Sequence, residues 1–473
     1  MRTAVLVAGE HYPVSATELY ESFGSGTTGG WLIGAACDSV RPGAAVSAYM
    51  PLGPDSPQVM LLGRISSCVP GAKITIVHDQ PWRGRIHLRF FDEPGGSSLR
   101  VSAELDDTGL AWWMEQRGWK QEVSADLRLH RISLLTSKTG PAAVFAIACE
   151  YLARLAVDQV NADGGIGGRR VELAIHDDAT DPGRAALEAQ RMIHSGSRAI
   201  IASVTSASFE AVRRTVASEG VPLIHPVLNE GGRGEANVFR WGERPLAQVR
   251  AAAPWMMQDG NHSRWFHVGN DYSWSHGAHR AATRAIDEAG GIVTSHAYTP
   301  LGTTDFAPLI DRIDASGAQS VLSSLVGADE VAFERQLWDS GLRGRCSVLS
   351  LVMEESTRER IGAQAANGIW SAFGYFSTLD SETNLDLKRR YFDAYGGWAP
   401  PISSISESVY EAILLYAHAA RAGQASATDL VRNLRQVTAE LPRGRVELNG
   451  PQVMRQRMHV AQSAGDGYRL ADQ

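Results

Sequence analysis

Over the first 129 residues, apolar and polar positions alternate in steps of two. Val46-Ser-Ala-Tyr-Met, Gln58-Val-Met-Leu-Leu, Ile74-Thr-Ile-Val, Arg85-Ile-His-Leu-Arg-Phe-Phe and Leu99-Arg-Val-Ser-Ala-Glu-Leu all follow it. Period two is that of a strand with one buried face. Turn-forming stretches such as Pro51-Leu-Gly-Pro-Asp and Glu93-Pro-Gly-Gly-Ser separate these segments, which predicts a meander of antiparallel strands. A short helix is predicted over 16–23. Another is predicted after Gly118, where Trp119, Val123 and Leu127 recur at i, i+4 and i+8. Helix, strands and closing helix make a small α+β helix-grip arrangement.

From Arg131 the pattern changes to strands alternating with helices. Strands are predicted over 131–136, 170–176, 199–203 and 221–225, with helices over 182–194 and 209–218. An earlier helix carries Val144, Ile147, Tyr151, Leu155 and Val160 on one face and stops at Gly164-Gly165. A second run places strands over 264–268, 292–298, 320–325, 347–351 and 368–373, with helices over 276–289, 306–315 and 329–340. Short-looped βα alternation implies parallel, doubly wound sheets. The order then breaks into helices over 384–395, 407–421 and 427–436 and a hairpin of 444–448 with 458–464. That tail reads as a segment returning to close the first lobe. The domains expected are 1–129 and 130–473, the latter with one lobe at about 130–250 plus the C-terminal returns and another at about 251–375.

Composition changes this picture little. The chain has 473 residues, 44 % of them hydrophobic and 21 % charged, with a net charge of −7. This is ordinary globular composition, too long for one core and too acidic for a nucleic-acid surface. No apolar run reaches the length of a membrane span. The four cysteines (Cys37, Cys68, Cys149, Cys346) are scattered singly, as reduced thiols would be. In the opening MRTAVLVAGEHYPV, Glu10 and His11 interrupt the apolar run and no signal-type cleavage site follows. A cytoplasmic protein is the expectation.

In open α/β sheets ligands sit beyond the carboxyl ends of the strands. The turns there are Ser137-Lys-Thr-Gly-Pro, Ser203-Val-Thr-Ser-Ala-Ser, His225-Pro-Val-Leu-Asn-Glu-Gly, Gly269-Asn-Asp-Tyr-Ser-Trp-Ser, Val326-Gly-Ala and Met353-Glu-Glu-Ser. Hydroxyls of Thr205 or Ser206, beside the free N–H groups of a helix start, suit a carboxylate or amide oxygen. Ser206 as a simple helix cap is the competing reading. His225 could donate to a ligand or be a structural histidine. Tyr272 and Trp274 offer an amphipathic face from the second lobe. Glu355 could pair with a ligand amine or merely serve the helix dipole.

The string LAVDQVNADGGIGGRRVELAIHDDATDPGRA at 155–185, with SVTSAS, GNDYSW, TDF, SLVG and YFSTLD in order after it, resembles the type I periplasmic-binding-like family. Its similarity is to the branch holding amide, urea and branched-chain amino-acid binders, and to amide sensors above all. This implies a two-lobed type I periplasmic-binding fold from about residue 130. The implied ligand positions are Thr205, Ser206, His225, Val227, Tyr272, Trp274 and Glu355. Val204 and His225 stand where amide binders carry aromatics, which leaves a short amide open. In the first 129 residues, Val14-Ser-Ala, Trp31, RPGAAV and CVPGAKI resemble the START-like superfamily, whose members bind lipophilic ligands under the closing helix. A packing or regulatory domain without a ligand is the alternative there.

Other chemistries fit poorly. GGIGG at 164–168 follows a helix, the wrong order for a dinucleotide loop, and no G-x-S-x-G or H-E-x-x-H motif is present. His176, Asp177 and Asp178 sit on consecutive residues and cannot face one point from an extended strand. The expected protein is therefore not an enzyme, with no cofactor and no metal. It closes two lobes over a short amide, urea or aliphatic amino acid, as a cytoplasmic sensor contacting a regulator protein. The alternative is the binding component of an ABC importer, with a permease as partner.

Overall fold

The computed structural model describes residues 4–24, 35–51, 58–80, 82–105, 129–217, 219–232, 235–258, 262–422, 427–448 and 454–471. The chain forms two compact units, one from Met1–Val123 with Lys138–Gly140 and the other from the remaining residues.

The first unit is a sheet of seven antiparallel strands: β1 (Ala4–Tyr12), β2 (Ala36–Cys37), β3 (Ala45–Pro51), β4 (Gln58–Val69), β5 (Lys73–Gln80), β6 (Gly84–Glu93) and β7 (Gly96–Leu105). Their spatial order is β1-β7-β6-β5-β4-β3-β2. The meander follows the alternating pattern, and β1 joins its far edge through nine paired residues from Ala4↔Leu105 to Tyr12↔Ser97. Helix Ala16–Glu21 starts on a capping box, in which Ser15 accepts from Glu18 N and donates its own N–H to the Glu18 carboxylate. Its buried Leu19 and Tyr20 share a core with Ile74, Ile76, Leu88 and Phe90 of the sheet. The predicted helix around Trp119, Val123 and Leu127 lies outside the described residues, as does Trp31.

The second unit holds two lobes. In lobe I, β8 (Leu129–Thr136), β9 (Arg170–Asp177), β10 (Ile200–Ser203), β11 (Leu223–His225) and β12 (Val238–Arg240) form a parallel sheet in the order β12-β11-β10-β8-β9. Both faces are buried, which explains the near-continuous apolar strands. Ile132, Leu134 and Ile201 pack with helix Ala146–Ala162 and helix Ser404–Ala422. Leu135, Ile200 and Ala202 pack with helices Pro182–His194 and Ser206–Val216 on the other side.

Lobe II contains β13 (Arg264–Asn270), β14 (Ile292–Thr299), β15 (Ser320–Ser324), β16 (Ser347–Ser350) and β17 (Trp370–Phe373), all parallel. The sequence pattern passed over β12 and the helix Pro245–Met257, which carries Pro254 inside it. That helix docks Val249, Ala252 and Ala253 against Trp265, Leu322 and Leu349 of the second sheet.

The carboxy-terminal tail departs from expectation. Helix Ser404–Ala422 does return to lobe I, but β21 (His459–Ala464) and β22 (Gly467–Leu470) add antiparallel strands to lobe II beside β17. The predicted pairing of 444–448 with 458–464 does not form. Instead β18 (Thr438–Leu441), β19 (Gly444–Leu448) and β20 (Met454–Arg455) make a separate three-stranded sheet. A two-residue turn, Pro442-Arg443, joins β18 to β19, since Leu441 pairs with Gly444. A turn that tight commits 444–448 to its nearest neighbour in sequence.

The chain crosses between the lobes after β12, after β17 and between β20 and β21. Arg443 touches all three crossings. Its guanidinium reaches Glu243 on the first at 3.2 Å and donates to Gln456 on the third, while Gly374 N on the second donates to Glu243 at 3.1 Å. The same guanidinium pairs with Glu407 and, at 2.6 Å, with Glu411 of helix Ser404–Ala422. The Arg443 side chain is 2 % exposed and its acidic partners no more so. Burial raises the Glu407 carboxyl well above the usual range, against the pull of Arg443. Arg443→Met leaves Glu243, Glu407 and Glu411 without their cation. A loss of about 3–5 kcal/mol of unfolding free energy is expected in urea denaturation of the full chain.

Candidate functional site

The carboxyl ends of the two parallel sheets face a common cavity. Lobe I contributes Thr136 and Ser137 at the end of β8, the run Ser203–Ser206 at the end of β10, and Val227 and Leu228 beyond β11. Lobe II contributes Tyr272 and Trp274 beyond β13, Val326 beyond β15 and Val352 beyond β16. Ala142, Phe145 and Ile405 complete the wall. The lining is apolar and aromatic, with hydroxyls concentrated on the lobe I side.

Each wall segment is fixed by hidden polar groups. Helix Ser206–Val216 begins at Thr205, whose side chain makes no bond to the helix, so the first-turn N–H groups keep their free end toward the strand termini. The Ser206 hydroxyl donates to Glu230 at 2.7 Å. In lobe II, Asn270 donates to Asp329 at 2.6 Å and accepts from Val326 N at 2.9 Å, holding the Val326 loop. Asp329 also accepts from Gly302 N and Thr303 N, and burial raises its carboxyl to about 6.

Behind the first turn, Ala179 and Thr180 adopt φ of 53° and 59°, a conformation costly for non-glycine residues. Asp177 and Asp178 accept from the backbone N–H groups of these two residues, and the Thr180 hydroxyl oxygen accepts from Ala142 N at 3.3 Å. His176 turns to Glu188 at 2.8 Å. The three adjacent side chains thus serve different partners.

The lobes meet at the rim. Ala328 N donates to Pro141 O at 3.2 Å, and Gly327, with φ +60°, lies so close that a Cβ would sit 2.1 Å from that oxygen. On another side Glu230 packs against Gly277, where an added Cβ would fall 2.7 Å from the Glu230 Cβ.

Five of the residues singled out from the sequence line the cavity: Thr205, Ser206, Val227, Tyr272 and Trp274. Two do not. His225 lies at the end of β11, its ring stacked 4.3 Å from Phe209, and its Nδ1–H donates to Ala202 O at 2.7 Å. Burial lowers it to about 4, so it is a neutral, structural histidine. Glu355 is buried and accepts from Ser377 N at 2.6 Å on the second crossing, while burial raises its carboxyl to about 8. Its neighbour Glu354 is the helix cap, accepting from Ser356 N and Thr357 N. The turn at 353–356 therefore spends both acids on the backbone. Phe145, Val352 and Ile405 escaped the strand-end reading. Ile405 comes from a helix far along the chain, and only the spacing of a core helix marks it.

Beneath the wall, Cys149 Sγ lies 3.5 Å from Ser203 Oγ, and burial raises the thiol to about 12.

Residues 130–467 match the periplasmic binding protein family. A Leu/Ile/Val-binding protein of Rhizobium johnstonii is 27 % identical over 318 residues, covering 66 % of this chain and 84 % of the relative. Among solved structures, the Streptococcus pneumoniae branched-chain amino acid transporter substrate-binding protein with isoleucine superposes with a TM-score of 0.63 at 18 % identity, covering 72 % of this chain and 97 % of that one. A solute-binding protein of an ABC transporter from R. palustris, in complex with 4-hydroxybenzoate, gives 0.64 at 19 % identity, covering 72 % and 95 %. These findings overturn the expected cytoplasmic setting, which rested on the opening residues, the singly scattered cysteines and the lack of a membrane-length apolar run, and the sensor reading loses its support with it. The importer alternative fits them better. From residue 130 onward the fold, the cleft and the family match agree, and the chain belongs to the periplasmic binding protein family.

Proposed function

We propose that residues 130 onward are the solute-binding component of an ABC importer, closing over a small ligand with a branched or aromatic apolar body and an oxygen-bearing head. The observation that carries this reading is the division of the cavity wall. Hydroxyls and a helix start lie on lobe I, and Phe145, Tyr272, Trp274, Val326, Val352 and Ile405 supply apolar surface. The name of the Rhizobium johnstonii relative supports a branched aliphatic body, and the 4-hydroxybenzoate complex supports an aromatic one. The Thr205 hydroxyl and the backbone N–H groups at the start of helix Ser206–Val216 hold the head, while Val227, Tyr272 and Trp274 enclose the body. The lobes swing about the crossings joined at Arg443, and ligand shifts the population toward the closed form. A permease is the partner that reads closure.

A thermal-shift screen of leucine, isoleucine, valine, 4-methylpentanoate and 4-hydroxybenzoate tests the reading. A bound ligand at 100 times its Kd is expected to add about 2.7 kcal/mol of stability. If none of the panel raises the Tm, the reading fails. Closure itself is tested at Gly327, where a side chain meets both the positive φ and the Pro141 carbonyl. Gly327→Ala is expected to raise the Kd of any hit by about ten-fold or more in calorimetry, because the closed form is penalised. Gly344→Ala, at a site open around its Cβ, is the control and is expected to bind normally.

A further inference from the structure

A pair of acids lies behind the lobe II wall of the cavity. Helix Ala328–Asp339 carries Glu330 and Glu334 one turn apart, and both are wholly buried. Arg343 meets Glu334 at 3.2 Å, while among the described residues no cation pairs with Glu330. The Glu330 carboxyl instead receives two hydroxyls, one on each oxygen. Ser323 comes from the end of β15 and Ser350 from the end of β16.

These serines lead on to the wall. Ser350 Oγ accepts from Met353 N at 2.9 Å and Val352 N at 3.3 Å, and Ser323 Oγ accepts from Leu325 N at 3.4 Å. Val352 and Val326, on those two turns, line the cavity. One carboxyl therefore ties together the turns through which β15 and β16 shape it.

Two buried acids beside one guanidinium leave an anion uncompensated if both ionise, which is costly. Burial raises the Glu330 carboxyl well above its usual range, and Glu334 and Asp329 on the same helix add to this against the two serines. Charges on the neighbouring helix Glu355–Ile361 and its cap have other partners. Glu354 caps that helix, Glu355 holds Ser377 N, and Arg358 reaches Ser463. Glu359 and Arg360 stay partly exposed, and Arg335 donates to the Ile361 carbonyl.

We infer that Glu330 is a positioning residue that sets the lobe II wall as a neutral carboxyl, so that ionising it loosens the Val326 and Val352 turns and weakens ligand binding in alkali. The binding half of this inference rests on the cavity being the solute site, and the held proton does not.

Two measurements on the full chain separate the halves. Folding retains a proton on Glu330 between the ordinary carboxylate range and its raised value, so stability falls as pH rises through that window and levels off above it. Glu330→Gln, which keeps the shape without the charge, is expected to remove a fall of up to about ten-fold per pH unit in the urea unfolding equilibrium. In calorimetry, a ligand from the panel is expected to bind the wild type about five-fold or more weakly at pH 9 than at pH 7, a drop that Glu330→Gln loses. Glu334→Gln removes the neighbouring charge and is expected to move the drop to lower pH. Equal unfolding profiles for wild type and Glu330→Gln overturn the held proton. An affinity drop that persists in Glu330→Gln, is absent from the wild type, or does not move in Glu334→Gln overturns the positioning role and leaves solute binding standing. If no compound of the panel binds at either pH, solute binding in this cavity fails and the positioning role with it, while the unfolding profiles still decide the proton.

Discussion

A buried guanidinium must be matched by buried anions, and Arg443 recruits its anions from separate parts of the chain. Glu243 belongs to the first crossing, while Glu407 and Glu411 belong to the long helix of lobe I. Gly374 and Gln456 bring in the other two crossings by sharing the same polar atoms. Desolvated charges of this kind tolerate little misplacement, since any lost partner leaves a charge stranded in the core. The tight turn that carries Arg443 is thus the point where the two sheets are referred to one another. The Ser404 hydroxyl, also on Glu243 at 2.7 Å, extends that reference to the residue before Ile405 in the cavity wall.

Much of this architecture was legible in the sequence for a simple reason. Strands buried on both faces read as short apolar runs, and amphipathic helices between them read at period 3.6, so the βα alternation announced itself. Strand ends follow directly, and with them Thr205, Ser206, Tyr272 and Trp274. What failed to show was non-local. Strand Val238–Arg240 is three residues long, and the helix after it is interrupted by a proline, so neither offers a full period. The partner of 444–448 was decided by a two-residue turn, which hydrophobic spacing does not encode. Glu355 and His225 were correct as positions near strand ends but wrong as directions. One residue of offset turns a side chain from the cavity to the core.

The polar framework behind the cavity explains how a soft, apolar wall can keep a defined shape. Asn270 and Asp329 fix the Val326 loop, and the strained pair Ala179–Thr180 fixes Ala142. Strain at such a place persists only where surrounding bonds over-determine it. The rigid parts thus lie one layer behind the surface a ligand would touch. The first unit, a seven-stranded antiparallel sheet with helix Ala16–Glu21 on it, has its own core.

Cys149 lies under Ser203, fully buried, with its thiol held protonated. Alkylating and oxidising reagents act on the thiolate of an accessible sulfur. Neither condition is met while lobe I is intact. The rate at which this thiol reacts is then a clock for excursions in which the lobe I core itself comes apart, distinct from the swinging of lobes that leaves the core closed.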